Sequence, residues 1–64
     1  MKRKELLRHL SSQGCELLRE GGRHSIWWRP DNRSKSAVPR HNEVRDLLVK
    51  RICKDFEVPP PTKT

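Results

Sequence analysis

Residues 15–29 read Cys15-Glu16-Leu17-Leu18-Arg19-Glu20-Gly21-Gly22-Arg23-His24-Ser25-Ile26-Trp27-Trp28-Arg29, and the meaning of this stretch decides the fold. Two short runs carrying Leu, Ile and Trp flank a Gly-Gly pair. Glycine tolerates positive φ, so the pair marks a tight turn. Residues 15–20 and 24–29 are therefore expected as the two strands of a hairpin. Pro30-Asp31-Asn32 opens a second turn. Residues 35–38 supply a third, weaker strand, stopped by Pro39, which has no N–H for a ladder.

Helical spacing lies on both sides of this meander. Residues 2–12 carry Leu6, Leu7 and Leu10 as a narrow apolar stripe, with Lys2, Arg3, Lys4 and Arg8 around it and His9 on the polar side. Gly14 suits the left-handed turn that ends such a helix. Residues 42–55 predict a second helix, capped by Asn42 or His41. In it Val44, Leu47, Leu48 and Ile52 fall on one face to be buried. Pro59-Pro60-Pro61 ends regular structure, leaving one domain over residues 1–58 and a polar tail over 59–64. The order is α-β-β-β-α. An α+β fold follows, with a three-stranded antiparallel sheet and both helices on one face, as in double-stranded-RNA-binding domains. The other face is left for solvent or a partner.

Composition narrows the partner. Of 64 residues, 15 are Lys or Arg and 8 are Asp or Glu, a formal charge of +7. A field of that sign favours polyanions, chiefly nucleic acid. No apolar run approaches the ~20 residues of a membrane span, and no apolar core follows the basic start as in a signal peptide, so no membrane partner and a cytoplasmic location are expected. Only 31% of residues are hydrophobic, so the core is thin and a bound partner would add stability. Cys15 and Cys53 fall within apolar patterns and read as small buried hydrophobes. Together with His24 and His41 they lack the close spacing of a zinc site, so no metal and no cofactor are expected.

The chemistry-bearing candidate is His24. It follows Gly21-Gly22-Arg23 at the entrance to a strand, where a side chain is held by the sheet yet reachable. Imidazole exchanges protons near neutral pH. RNA supplies its own nucleophile, the 2′-hydroxyl, so an RNA-cutting site needs only a base, an acid and cations for the charge on phosphorus. Arg23, Lys35 and Arg40 are candidate cations, and Lys4 with its basic neighbours is a candidate phosphate contact. His41 reads either as a second proton-transfer or phosphate-binding residue or, more simply, as a cap or turn residue. Taken bare, these residues support only a small nucleic-acid-binding protein.

Four ordered segments resemble HicA toxins: Lys4-Glu5-Leu6-Leu7-Arg8-His9-Leu10, Gly14-Cys15-Glu16-Leu17-Leu18-Arg19, Gly21-Gly22-Arg23-His24-Ser25-Ile26-Trp27, and Ala37-Val38-Pro39-Arg40-His41. The resemblance covers about residues 3 to 60. It implies a double-stranded-RNA-binding-like fold and a toxin of a type II toxin–antitoxin pair. It further implies a metal-independent endoribonuclease that cuts mRNA, with a HicB-type antitoxin as partner and higher-order assembly through that antitoxin. The family's Gly-x-His motif falls on Gly22-Arg23-His24, which implies His24 as the catalytic residue. Ser is the commoner residue between Gly and His, so Arg23 departs from the pattern.

The resemblance also bears on strand facing. Alternation places Ser25, Trp27 and Arg29 on one face and His24, Ile26 and Trp28 on the other. Apolar pattern alone would bury Ile26 and Trp28. A catalytic His24 must instead face away from the helices, so Trp27 is expected in the core and Trp28 outside it. Leu18, Ile26 and Trp28 then form an apolar patch on the open face, the expected seat of the antitoxin. Two rivals remain: a non-catalytic RNA-binding module of the same fold, and a DNA-binding protein using its second helix. That helix mixes Glu43 and Asp46 with Arg45 and Lys50, a poor surface for reading a groove.

Overall fold

Strand β2 (His24–Arg29) is the middle of a three-stranded antiparallel sheet, with β1 (Glu16–Glu20) and β3 (Ser34–Pro39) on its two sides. The structure is a computed structural model describing residues 1–61. Helix α1 (Arg3–Ser12) precedes the sheet and helix α2 (Asp46–Asp55) follows it. The expected α-β-β-β-α meander is thus the observed one, and β3 includes Pro39 as its last residue.

Alternation along β2 separates two faces. Ser25 and Trp27 are buried, His24 is exposed, and Ile26 and Trp28 are half-buried. Ser25 lies opposite the buried Val38 of β3. This face meets the core built from Leu6 and Leu10 of α1 and Val49, Ile52 and Cys53 of α2, with Cys15, Val44, Phe56 and Val58 from the flanking segments. Trp27 is therefore the core tryptophan, only 9% exposed. His24, Ile26 and Trp28 turn away from the helices, across from Pro39, Ala37 and Lys35 respectively.

Both helices end in the same way. After α1, Cys15 N–H donates to the Leu10 carbonyl at 2.9 Å and Gly14 N–H to the Ser11 carbonyl at 3.2 Å. Gly14 sits at φ +87°, the left-handed turn expected for it. These are the paired bonds of a Schellman cap, with Cys15 and Leu10 in the accompanying apolar contact. After α2, Val58 N–H donates to Cys53 and Glu57 N–H to Lys54, both at 3.0 Å, and Glu57 occupies the left-handed position at φ +57°. No glycine marks this second cap in the sequence.

Two expectations are corrected. The second helix begins at Asp46 with Arg45 as N-cap, so neither Asn42 nor His41 caps it. Residues 42–44 are instead extended against the N-terminal segment. Arg3 N–H donates to the Asn42 carbonyl at 2.8 Å and Val44 N–H to the Met1 carbonyl at 2.7 Å. Pairing to residues 1–3 takes up the backbone groups that a helix start would have used. Ile52 is buried as expected and Leu48 is half-buried against the core, but Leu47 is 81% exposed and Val49, Cys53 and Phe56 complete the buried face instead. Val44 is buried as expected, but from the extended segment.

The proline run carries no regular structure over residues 59–61. It lies against both helices: the Pro59 carbonyl is 2.7 Å from His9 Nε2, and Pro60 and Pro61 line a hollow with Met1, Asp46, Val49 and Lys50. The rest of the expected tail, residues 62–64, lies outside the described residues.

Candidate active site

The β1–β2 turn is shaped by Gly21. Its N–H donates to the His24 carbonyl at 2.8 Å. A Cβ on Gly21 would sit 2.7 Å from that same oxygen, closer than side-chain carbons approach backbone. Only glycine allows this closure, and the closure sets where β2 begins. His24 is the first residue of β2, exposed and on the open face.

Beneath the turn runs a polar network. Ser25 is 1% exposed, on the helix-facing side of β2. Its hydroxyl donates to Glu20 Oε1 at 2.6 Å and accepts from Arg3 Nη2 at 2.9 Å. Arg3 Nε also donates to the Pro39 carbonyl at 2.9 Å. Glu20 Oε1 is shared with Arg40 Nη2 at 2.7 Å, and Arg40 Nη2 donates in addition to the Gly21 carbonyl at 2.8 Å. One chain of contacts therefore ties α1, both strands of the hairpin and the end of β3 to the residue next to His24. A guanidinium has five N–H donors. Both contacts of Arg40 use a single Nη, and among the described residues its other nitrogens have no partner.

Arg40, His41, Arg23 and Gly22 line a shallow cleft at this end of the sheet. Arg23 and His41 are exposed. Sequence neighbours thus become spatial ones: His24 follows Arg23 at the turn, and the chain leaving β3 brings Arg40 and His41 alongside. The cleft presents two guanidiniums and an imidazole, a set of donors suited to a phosphate. Lys4 lies further along, in a second hollow lined by Lys2, Arg3, Asn42 and Glu43. The 41–42 loop joins the two hollows.

Lys35 is not part of the cleft. It lies opposite Trp28, four positions along β2 from His24. At ~3.3 Å per residue that is roughly 13 Å. Leu18 is exposed, but it falls at a β-bulge: the register passes from Leu17 to Arg19, so Arg19 and not Leu18 lies opposite Ile26. Leu17 is exposed as well, at 45%. Among the described residues no three His, Cys, Asp or Glu side chains gather as a metal site. No described helix is long and apolar enough to cross a membrane.

The model of the family described as HicA toxin of bacterial toxin–antitoxin matches residues 3–58. The chain belongs to the HicA toxin family. It is therefore a toxin, and toxins of this family pair with antitoxins in toxin–antitoxin systems. No curated protein and no solved structure matches the chain. The match spans every element of the toxin's fold, from the first residue of α1 to Val58 behind α2.

Sequence reasoning missed the Arg3–Ser25–Glu20–Arg40 network. One signal was present: Ser25 is a polar residue in the inward phase of β2, beside Trp27. A buried hydroxyl needs hydrogen-bond partners, and Glu20 and Arg3 provide them.

Proposed function

We propose that this toxin is a metal-independent endoribonuclease that cuts mRNA, with His24 as its catalytic residue. The observation that carries the reading is the position of His24: exposed at the start of β2, beside a cleft lined by Arg23, Arg40 and His41. A ribose 2′-hydroxyl attacks the adjacent phosphorus, the P–O5′ bond breaks, and the 5′ oxygen leaves with a proton. The products are a 2′,3′-cyclic phosphate and a 5′-hydroxyl. His24 either takes the 2′-hydroxyl proton or supplies the one the leaving oxygen needs. His41 is the imidazole that lines the neighbouring cleft and serves the complementary step. Arg23 and the unpartnered nitrogens of Arg40 face the developing negative charge, where fixed donors act most strongly. Lys4 and Lys35 hold more distant phosphates.

The partner in this reading is a HicB-type antitoxin, with higher-order assembly arising through the antitoxin. Ile26 and Trp28 share the open face with His24, and Leu18 stands exposed on the neighbouring strand. An antitoxin seated there covers His24 and inhibits by occlusion. In this reading the toxin meets its RNA substrate and its antitoxin in the cytoplasm.

The test is incubation of purified toxin with RNA in a metal chelator, wild type beside His24→Ala. Cleavage by wild type that is lost in the variant, with RNA binding retained, is the expected result. Equal cleavage by both overturns the role of His24. Binding without cleavage by either protein makes the chain an RNA-binding module instead.

A further inference from the structure

We propose that Trp28, with Lys35 beside it, is a nucleobase-stacking site that holds single-stranded RNA along the open sheet face. This inference rests on the reading of the chain as an RNA-cutting toxin. The two tryptophans of the chain are adjacent in β2, and their fates differ. Trp27 is spent on the core, while Trp28 stands partly exposed on the face that carries His24.

The surroundings of Trp28 fit a base and its phosphate. Lys35 lies directly opposite on β3 and is exposed. Arg19 of β1, also exposed, lies opposite Ile26, midway between Trp28 and His24. Among the described residues neither Lys35 nor Arg19 makes an ion pair. Glu16, opposite Trp28 on β1, is the acidic residue of this row. The middle of the face is apolar: Ile26 and Ala37 pair across β2 and β3. A strand of RNA laid from the His24 end to the Trp28 end then runs over an apolar middle with the Arg19 cation beside it. Aromatic side chains on an open sheet stack unpaired bases, and stacking tolerates any base because each has a π-face.

The geometry sets the register. Trp28 is roughly 13 Å along the strand from His24. A stacked base then belongs to a nucleotide about two positions from the phosphate at His24, close enough for stacking to fix which phosphate reaches the imidazole. Duplex RNA keeps its bases paired inside the helix and has none free to stack, so the site selects single strands.

The test uses the full chain carrying His24→Ala, so that RNA is bound and not cut, and Trp27→Phe, so that Trp28 is the sole fluorophore. A short oligoadenylate is titrated beside an abasic ribose-phosphate oligomer of equal length. Saturable quenching of Trp28 by the first and none by the second is expected. Binding of the oligoadenylate without any change in emission overturns the site, as does equal quenching by both. Removing the ring by Trp28→Ala should weaken oligoadenylate binding about tenfold, and Trp28→Phe should restore it to within about threefold. If Trp28→Ala does not fold, the quenching arms still decide. If Trp28→Ala lowers affinity for the antitoxin while leaving RNA affinity unchanged, the surface belongs to the protein partner and the stacking site falls. Cleavage by the wild-type chain is scored separately. Loss of the stacking signal with His24-dependent cleavage intact removes this inference alone. Absence of cleavage with quenching intact removes the catalytic reading alone.

Discussion

The Gly21 amide donates to the His24 carbonyl at 2.8 Å, and the same oxygen would lie 2.7 Å from any Cβ at Gly21. The turn and the candidate catalytic residue are therefore one unit. Gly21→Ala forces the two backbone segments apart. We expect a loss of about 1–3 kcal/mol of stability, the usual range for overpacking a fixed site. Cleavage should fall further than unfolding alone explains, because His24 moves with the turn. Urea unfolding and RNA cleavage, measured where the variant is still folded, check both parts. Gly22→Ala is the control for the stability measurement, since nothing lies within 4 Å of a Cβ there.

Ser25→Ala removes the bridge between Arg3 and Glu20 without changing the shape of the strand. A part-buried guanidinium nitrogen and a carboxylate oxygen each lose a partner. The expected cost is about 1–3 kcal/mol. Arg40 keeps its contacts with Glu20 and the Gly21 carbonyl, so the hairpin remains tied to the end of β3. Urea unfolding should show the loss, and an unchanged midpoint would mean that the network adds no stability.

The hairpin was legible because glycine and strand alternation are local signals. Gly21-Gly22 fixes the turn, but alternation alone would have buried Ile26 and Trp28, and it was the HicA resemblance, with its reachable His24, that put Trp27 in the core. The start of α2 was not legible, because what decides it is remote: residues 42–44 pair with residues 1–3 at the other end of the chain. Leu47 and Val49 both suit a helix, and the stripe that is buried depends on where the helix begins. The bulge between Leu17 and Arg19 was not legible either, since an extra residue in β1 leaves no mark in composition. The Arg3–Ser25–Glu20–Arg40 network joins four segments, and only its buried serine was visible in the strand pattern.

The shift of the buried stripe has a direct test. Leu47 is 81% exposed and Ile52 is 1% exposed. Leu47→Lys should change stability by less than about 0.5 kcal/mol. Ile52→Ala should cost about 2–5 kcal/mol, the range for emptying a packed aliphatic site. A large loss from Leu47→Lys, read by thermal unfolding, would restore the original helix phase.

Glu57 offers a gain in stability. It holds φ +57° at the cap of α2, where a side chain is strained and glycine is not. Glu57→Gly relieves the strain but frees the unfolded chain, two effects of opposite sign. The left-handed penalty is the larger of the two, so the net expectation is a stabilisation of about 0.5–1 kcal/mol. A lower melting temperature in the variant would show that Glu57 has a role its backbone does not reveal.

The two thiols tie stability to alkaline pH. Burial pushes the Cys15 thiol above the ordinary value of 9.0, with Arg29 opposing, and burial pushes Cys53 up as well, reinforced by the charge of Cys15. The folded chain therefore holds these protons more tightly than the unfolded chain. Their contribution to stability is complete below pH 9.0, the unfolded value, and is lost as the pH rises through the higher folded values. Urea unfolding at neutral pH and above pH 9.0 should show the decline, and the double variant Cys15→Ala with Cys53→Ala should show a smaller one. The same burial keeps the thiolate scarce, so a thiol reagent at neutral pH should label neither cysteine until the chain unfolds. Rapid labelling of the native toxin would contradict the packing that places both residues beneath the sheet.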